Sequence, residues 1–399
     1  MSWRLGRKVA IVGIGQTAYL RAGTSGRTAF AMACEAVVAA CRDAGVSPRE
    51  IDGFATYGGH GEHLETTDPY ALAQSLGVER VRFADRYPGG GESLAATVHH
   101  AAMAIDAGVC DLVVCWRSLA GRLIKIQDHA GERADAVASN GAFRADFLHP
   151  FGAFVPFQYY AMQARRHMLD YGTTSRQFGA IAVNQNRNAQ RNPCAIHHGR
   201  PITLEDHQRS PWVSEPYRLY DCTQEADGAA AVIVAGAARA RDLRHKPAYL
   251  LGAAEGSGRP EQRCNQLRHL GRWNAAGMDT VARELFLRAG VGPQDIDVAQ
   301  IFETFTGQAL MALEDFGFCK RGEGGPFVES GAIAFDGGSL PMNTAGGGLA
   351  EGYLHGFNNL LEGVRQMRGT STCQVAQAQT CLVTSGPSAM PSSALILCR

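Results

Sequence analysis

Apolar and polar positions along this chain fall into short blocks. Val9 to Gly15 (Val-Ala-Ile-Val-Gly-Ile-Gly) is a near-continuous apolar run ending in glycine, the pattern of a strand buried on both faces. Helical spacing follows over Thr28 to Ala44, strand patterns over Ile51 to Thr56 and Asp111 to Cys115, and a further helix over Ser93 to Ala107, with Leu94, Val98, Ala101, Ala102 and Ile105 on one face. Arg82 to Gly91 reads as a loop, and Ala226 to Ala235 returns to strand character. After Pro247 the sequence starts again with a strand ending in glycines. A helix over Asn274 to Ala289, a strand over Asp297 to Phe302, a helix to Phe316 and a last strand over Ser392 to Cys398 follow. Such alternation predicts an α/β fold around a largely buried sheet.

The two halves share an order. Each opens on an apolar strand ending in glycine, carries a triple glycine before an amphipathic helix (Gly89 to Gly91, Gly346 to Gly348), and closes on small residues and a strand. This predicts a duplicated α/β unit, with halves at 1–245 and 246–399. The first half carries an excursion at about 118–221. Its aromatic residues, among them Phe143, Phe147, Phe151, Phe154, Phe157, Tyr159 and Tyr160, partly on a helix over Pro156 to Tyr171, form either a wall for a bulky apolar substrate or a small satellite core.

The stretch from Asn343 to Gly369 concentrates the candidate chemistry. The triple glycine precedes Tyr353 and His355, and Leu354, Phe357, Leu361 and Val364 recur at helical steps. The start of such a helix offers unpaired N–H groups to an anion or a developing oxyanion. Tyr353 is an acid–base candidate or a packing residue, and His355 titrates near neutrality without help. Glu303, after a buried strand, is a base, an orienter or a helix cap. Gly91, Gly347 and Gly386 are candidates for backbone donors to an oxyanion, or for tight turns. Ser93 is expected to cap its helix. His99 and His100, adjacent on a helix, are expected to point apart, which argues against a shared metal.

Composition narrows the classes. The 399 residues are 45% hydrophobic and 19% charged with a formal net charge of zero, so a large core is feasible and nucleic acid or an anionic membrane is a poor partner. No apolar run reaches a membrane span, and no signal-peptide pattern precedes Val9. Eleven cysteines occur without a C-x-x-C pair, which fits reduced thiols in the cytoplasm.

Together these pieces resemble the thiolase superfamily, in particular the sterol-carrier-protein-x and lipid-transfer-type thiolases. The resemblance rests on Val9-Ala-Ile-Val-Gly-Ile-Gly-Gln-Thr, Asn192-Pro-Cys-Ala, Pro201-Ile-Thr-Leu-Glu-Asp, Asp221-Cys-Thr-Gln-Glu-Ala-Asp-Gly-Ala-Ala and, above all, Asn343-Thr-Ala-Gly-Gly-Gly-Leu-Ala-Glu-Gly-Tyr-Leu-His-Gly. It implies a duplicated five-layer αβαβα thiolase fold, a homodimer or a dimer of dimers, and acyl-CoA substrates with no cofactor beyond the coenzyme A of the substrate. It also implies a small OB-fold, zinc-binding partner protein. The family's nucleophilic cysteine falls on Gly91, its histidine on Tyr353, and a third polar position on Phe302. Glycine for cysteine and tyrosine for histidine are similar to the steroid side-chain aldolases of this group, and Tyr353 matches one of their two tyrosines. The resemblance therefore implies retro-aldol cleavage of a bulky β-hydroxyacyl-CoA. The alternatives are a thiolase with an atypical site and a non-catalytic acyl-CoA-binding subunit.

Overall fold

The computed structural model describes residues 4–58, 68–121, 149–153, 155–256, 277–386 and 392–399. The first half supplies β1 (Val9–Gln16), α1 (Ala29–Ala44), β2 (Gly53–Gly58), β3 (Phe83–Pro88), α2 (Leu94–Asp106), β4 (Leu112–Leu119) and β5 (Ala226–Gly236). Its excursion contains α3 (Pro156–Tyr171) and α4 (Ser175–Ala189). The second half supplies β6 (Ala248–Gly256), α5 (Asp279–Ala289), β7 (Val298–Gln300), α6 (Thr306–Asp315), α7 (Gly347–Ala350), α8 (Phe357–Arg368), β8 (Thr380–Thr384) and β9 (Ser392–Cys398).

The strands lie in the order β3-β2-β4-β5-β1-β6-β9-β8-β7. In β2-β4-β5-β1 the first pairing is parallel and the next two antiparallel. In β7-β8-β9-β6 the same sequence of pairings recurs. The duplication expected from the two glycine loops is thus written in the strand order. The halves join where β1 meets β6 through only two antiparallel pairs, Ala10 with Tyr249 and Ile11 with Ala248.

Side-chain alternation explains the layers. Along β5, Ala230, Val232 and Val234 enter the same core as Leu395 and Leu397 of β9. The intervening Ala229, Ala231 and Ile233 face α1, whereas Ala394 and Ile396 join the core of α5 and α6. Period-two strands with both faces apolar require a helix layer on each side. Helices α2 and α8 fill the shared central layer, giving the five layers that the resemblance implies. Their N-termini are brought together at one end of it.

Several elements depart from the sequence reading. Phe83 to Pro88 is a strand rather than part of a loop; it pairs in parallel with β2 from Gly53–Phe83 to Gly58–Pro88. Its apolar signal is weak because it ends the sheet and is only half-buried. β2 starts two residues later than expected, and β4 runs on to Leu119 through Trp116 and Arg117. The helix after the second triple glycine is broken into α7 and α8, with Tyr353 and His355 in the turn between them.

The described part of the excursion is an extension of the second-half core. Tyr160 and Tyr217 pack on Phe305, with ring centroids 5.6 and 5.0 Å apart, and Ala161, Ala164, Phe178 and Ile181 share a cluster with Met311 and Phe316. Phe151 is exposed, and Phe143, Phe147 and Phe154 lie outside the described residues. Among the described residues no helix is long and apolar enough to cross a membrane.

Candidate active site

The site forms where the first-half loop 89–93 meets the turn between α7 and α8. Phe302, just beyond β7, stands between them. A β-carbon built on Gly91 would lie 2.4 Å from Phe302 Cζ, and one built on Gly356 2.5 Å from its Cδ2. The phenyl ring therefore fills the space in which a side chain at position 91 would begin, and glycine there is a packing requirement. No nucleophile can stand at position 91 while the ring does. The ring is held in place because Phe302 N donates to Thr384 Oγ1 at 2.9 Å.

Tyr353 faces this ring at 5.9 Å and packs edge-on against His355 at 5.1 Å. Its hydroxyl lies 3.5 Å from Thr304 Oγ1. Burial pushes the phenol above its ordinary value, so Tyr353 is protonated at neutral pH and stands ready as a donor or acid.

His355 has an assigned tautomer. Its Nδ1 lies 2.8 Å from Arg117 Nη2. A guanidinium only donates, so Nδ1 accepts and the ring proton sits on Nε2. Burial, and then the Arg117 charge, hold its pKa well below the ordinary value. His355 is a neutral Nε2–H donor. Arg117, on β4 and fully buried, also donates to Tyr57 O at 2.7 Å and stacks over the Tyr57 ring. Tyr57 in turn donates to His355 O at 3.0 Å, which steadies a histidine held at φ +51°.

Glu303 serves the second glycine loop. Its carboxylate accepts from Asn343 Nδ2 at 2.9 Å, Gly348 N at 2.8 Å and Leu349 N at 3.3 Å. With the Gln185 amide nitrogen turned towards it, a fourth donor lies at 2.7 Å. Burial pushes its pKa up to about 8, against the pull of those N–H groups. A β-carbon on Gly347, which has φ +59°, would meet Glu303 Oε1 at 2.5 Å. The triple glycine is thus wrapped on a buried carboxylate. Gly386 packs directly on the main chain of Glu92; a β-carbon there would lie 2.6 Å from Glu92 N and Cα.

Ser93 does not cap α2. Its hydroxyl donates to Pro88 O at 2.7 Å, and the cap comes from the other half: Ala95 N donates to Ser385 Oγ and Ala96 N to Ser393 Oγ. His99 and His100 also depart from expectation, because both approach Glu255, at 3.7 and 2.9 Å, and His100 further binds Asp85 at 2.9 Å. No group of metal-ligating side chains occurs among the described residues. Cys381 is buried, and burial pushes its thiol up.

The tyrosine, histidine and first-half glycine singled out by sequence thus converge, with Glu303 one layer behind. Arg117, Tyr57 and Glu92 were missed. An arginine in the otherwise apolar run Leu-Val-Val-Cys-Trp-Arg-Ser-Leu and an acid directly after a triple glycine were the available signals.

A five-layer duplicated fold with a nucleophile position closed by an aromatic ring defines a thiolase-type protein that lacks the acyl-transfer cysteine. Residues 262–399 match the model of a thiolase C-terminal domain-like family. The chain is 41% identical, over 98% of its length and 100% of the relative, to a 17-hydroxy-3-oxo-4-pregnene-20-carboxyl-CoA lyase of Mycobacterium tuberculosis. It is 41% identical, over 97% of both chains, to a steroid side-chain-cleaving aldolase of Thermomonospora curvata. The solved Ltp2-ChsH2(DUF35) aldolase superposes with a TM-score of 0.89 at 39% identity, covering 99% of each chain. The chain belongs to the thiolase superfamily, in the branch of the steroid side-chain-cleaving aldolases.

Proposed function

We propose that this protein is a carbon–carbon lyase that cleaves a bulky β-hydroxyacyl-CoA, of the steroid side-chain type, by a retro-aldol reaction. The observation that carries this reading is the Phe302 ring over Gly91. It closes the acyl-enzyme route and leaves Tyr353 and His355 beside it. A retro-aldol needs no acyl-enzyme, since the thioester stays on coenzyme A throughout. The β-hydroxyl loses its proton, its C–O bond becomes a carbonyl, and the Cα–Cβ bond breaks. That electron pair enters the thioester enolate, and Cα then takes a proton.

Tyr353 is the acid that protonates Cα, and its raised phenol suits that role. His355 Nε2–H and the backbone N–H groups of Gly91 and Gly386 stabilise the enolate oxygen. Glu303 is a positioning residue, holding the loop at Gly347 that leads to Tyr353. No cofactor is required beyond the coenzyme A carried by the substrate. The protein acts in the cytoplasm as a homodimer, for which the sheet-terminal strand β3 offers an edge to a second copy. A small OB-fold, zinc-binding partner supports it, and the similar solved aldolase is itself named for two components. The two halves, 1–245 and 246–399, act as one unit, because the site takes residues from both.

The test supplies 17-hydroxy-3-oxo-4-pregnene-20-carboxyl-CoA to the full chain, with and without the partner. The expected products are the 17-ketone and propionyl-CoA, formed without free coenzyme A. Cleavage of a 3-ketoacyl-CoA that depends on free coenzyme A would instead make the protein a thiolase. Absence of turnover on β-hydroxyacyl-CoA would make it a binding subunit.

A further inference from the structure

The retro-aldol reading leaves one role unfilled, the base for the β-hydroxyl proton. Tyr353 is protonated. His355 accepts from Arg117 at Nδ1 and carries its proton on Nε2. The Phe302 side chain has no polar atom, and the oxygens of Glu303 are taken by donors from three directions. We propose that Glu92, in the first-half glycine loop, is that base. The inference rests on the retro-aldol reading.

The main chain of Glu92 is clamped. Its carbonyl accepts from Ser393 Oγ at 2.7 Å, and Gly386 packs flat against its N and Cα. Its side chain folds back over the glycines. A point one β-carbon out from Gly89 lies 2.7 Å from Glu92 Oε1. The equivalent point on Gly90 lies 3.2 Å from Glu92 Oε2 and 3.8 Å from His355 Cε1. Carboxylate and imidazole therefore flank the same backbone position, beside the ring that covers Gly91. The carboxylate is close enough to Tyr353 for its charge to help raise the phenol. Neither oxygen accepts a hydrogen bond from any of the described residues, and the side chain is only half-buried. A clamped carboxylate whose oxygens accept no hydrogen bond from the described residues, set beside both Tyr353 and His355, is in the state a base requires.

The step balances as follows. A Glu92 oxygen takes the β-hydroxyl proton, and the O–H pair becomes the π bond of the new ketone. The Cα–Cβ pair becomes the enolate, and Tyr353 gives its proton to Cα. Glu92 then loses its proton to solvent, and Tyr353 regains one from it.

Two measurements on the full chain, with its partner where turnover requires one, separate this role from others. One is cleavage of the β-hydroxyacyl-CoA. The other is exchange of the α-hydrogens of propionyl-CoA in heavy water, read by mass spectrometry, in which the small phenolate fraction of Tyr353 takes the α-proton by the reverse of its own step and no β-hydroxyl takes part. Glu92→Gln is expected to slow cleavage by about 100-fold or more, while exchange continues. Glu92→Asp, which keeps a carboxylate, is expected to keep part of the cleavage. Wild-type cleavage in Glu92→Gln overturns the assignment. So does an equal loss of cleavage and exchange, which would make Glu92 a support of the loop. A wild type that neither cleaves nor exchanges removes the retro-aldol reading itself, and this assignment with it.

Discussion

The two triple-glycine loops occupy equivalent places in the duplicated halves, yet they are built for different work. The second, Gly346 to Gly348, is buried throughout and tied by Glu303, Asn343 and the N–H groups of Gly348 and Leu349. The first, Gly89 to Gly91, has no internal carboxylate to close on. Its acid, Glu92, lies half-buried over the loop, and its helix is capped from the opposite half by Ser385 and Ser393. One loop is a rigid seat from which Tyr353 and His355 project, and the other is an open rim. A duplicated fold can therefore place chemistry at a seam without asking both copies to be active. Buried polar groups that satisfy one another fix one copy, and open ones remain for the substrate.

The contrast can be broken from either side. The largest effect is expected from Tyr353→Phe. Removing the acid carried by the rigid seat should lower kcat for cleavage by about 100- to 10,000-fold and abolish α-hydrogen exchange, with little change in urea stability. Next, Glu303→Ala leaves the N–H groups of Gly348 and Leu349 without their acceptor. A loss of about 3 kcal/mol in a denaturant titration is expected, and a loss under about 0.5 kcal/mol, the level of an ordinary surface change, would refute the rigid-seat description.

Gly91→Ala tests the packing of the open rim against Phe302. With 2.4 Å between the new methyl and Cζ, overpacking should cost about 2 kcal/mol. Phe302→Leu in the same chain should recover part of that cost, so the two changes are expected to be non-additive in urea melts.

The smallest effect concerns the seam behind the rim. Asp85 and Glu255 hold His100 at a pKa of about 9, above the usual imidazole value, with His99 the other titratable group facing Glu255. A group with a raised folded-state pKa contributes fully below its unfolded pKa and loses that contribution as pH rises through the folded value. The stability difference between wild type and His100→Gln should therefore be about 1 kcal/mol near pH 6 and fade by about pH 10. A difference that grows with pH over that window would contradict the bridge.

Much of the fold was legible because burial writes periodicity into sequence. Strands β1, β5 and β9 are apolar on both faces and were read from their runs; α8 was read from its three- and four-residue steps. β3 was not, because an edge strand does not need two apolar faces. The break between α7 and α8 was hidden as well. It depends on Gly356, which adopts φ +84° and lies against Phe302 from another part of the chain.

At the site, residue identities went further than expected and residue roles less far. Sequence alone determined that no cysteine stands at the first glycine loop, that Tyr353 and His355 follow the second, and that Phe302 carries no hydroxyl. These facts are local, and they set which reactions are closed. Tertiary structure decided that Phe302 fills the place over Gly91, that Arg117 assigns the proton of His355, and that Glu303 is consumed within a loop while Glu92 is left open. Each of these is a contact between segments far apart in the chain. Hydrogen-bond satisfaction and the exclusion of one atom by another are properties of the assembled surfaces and appear only once the two halves close on each other.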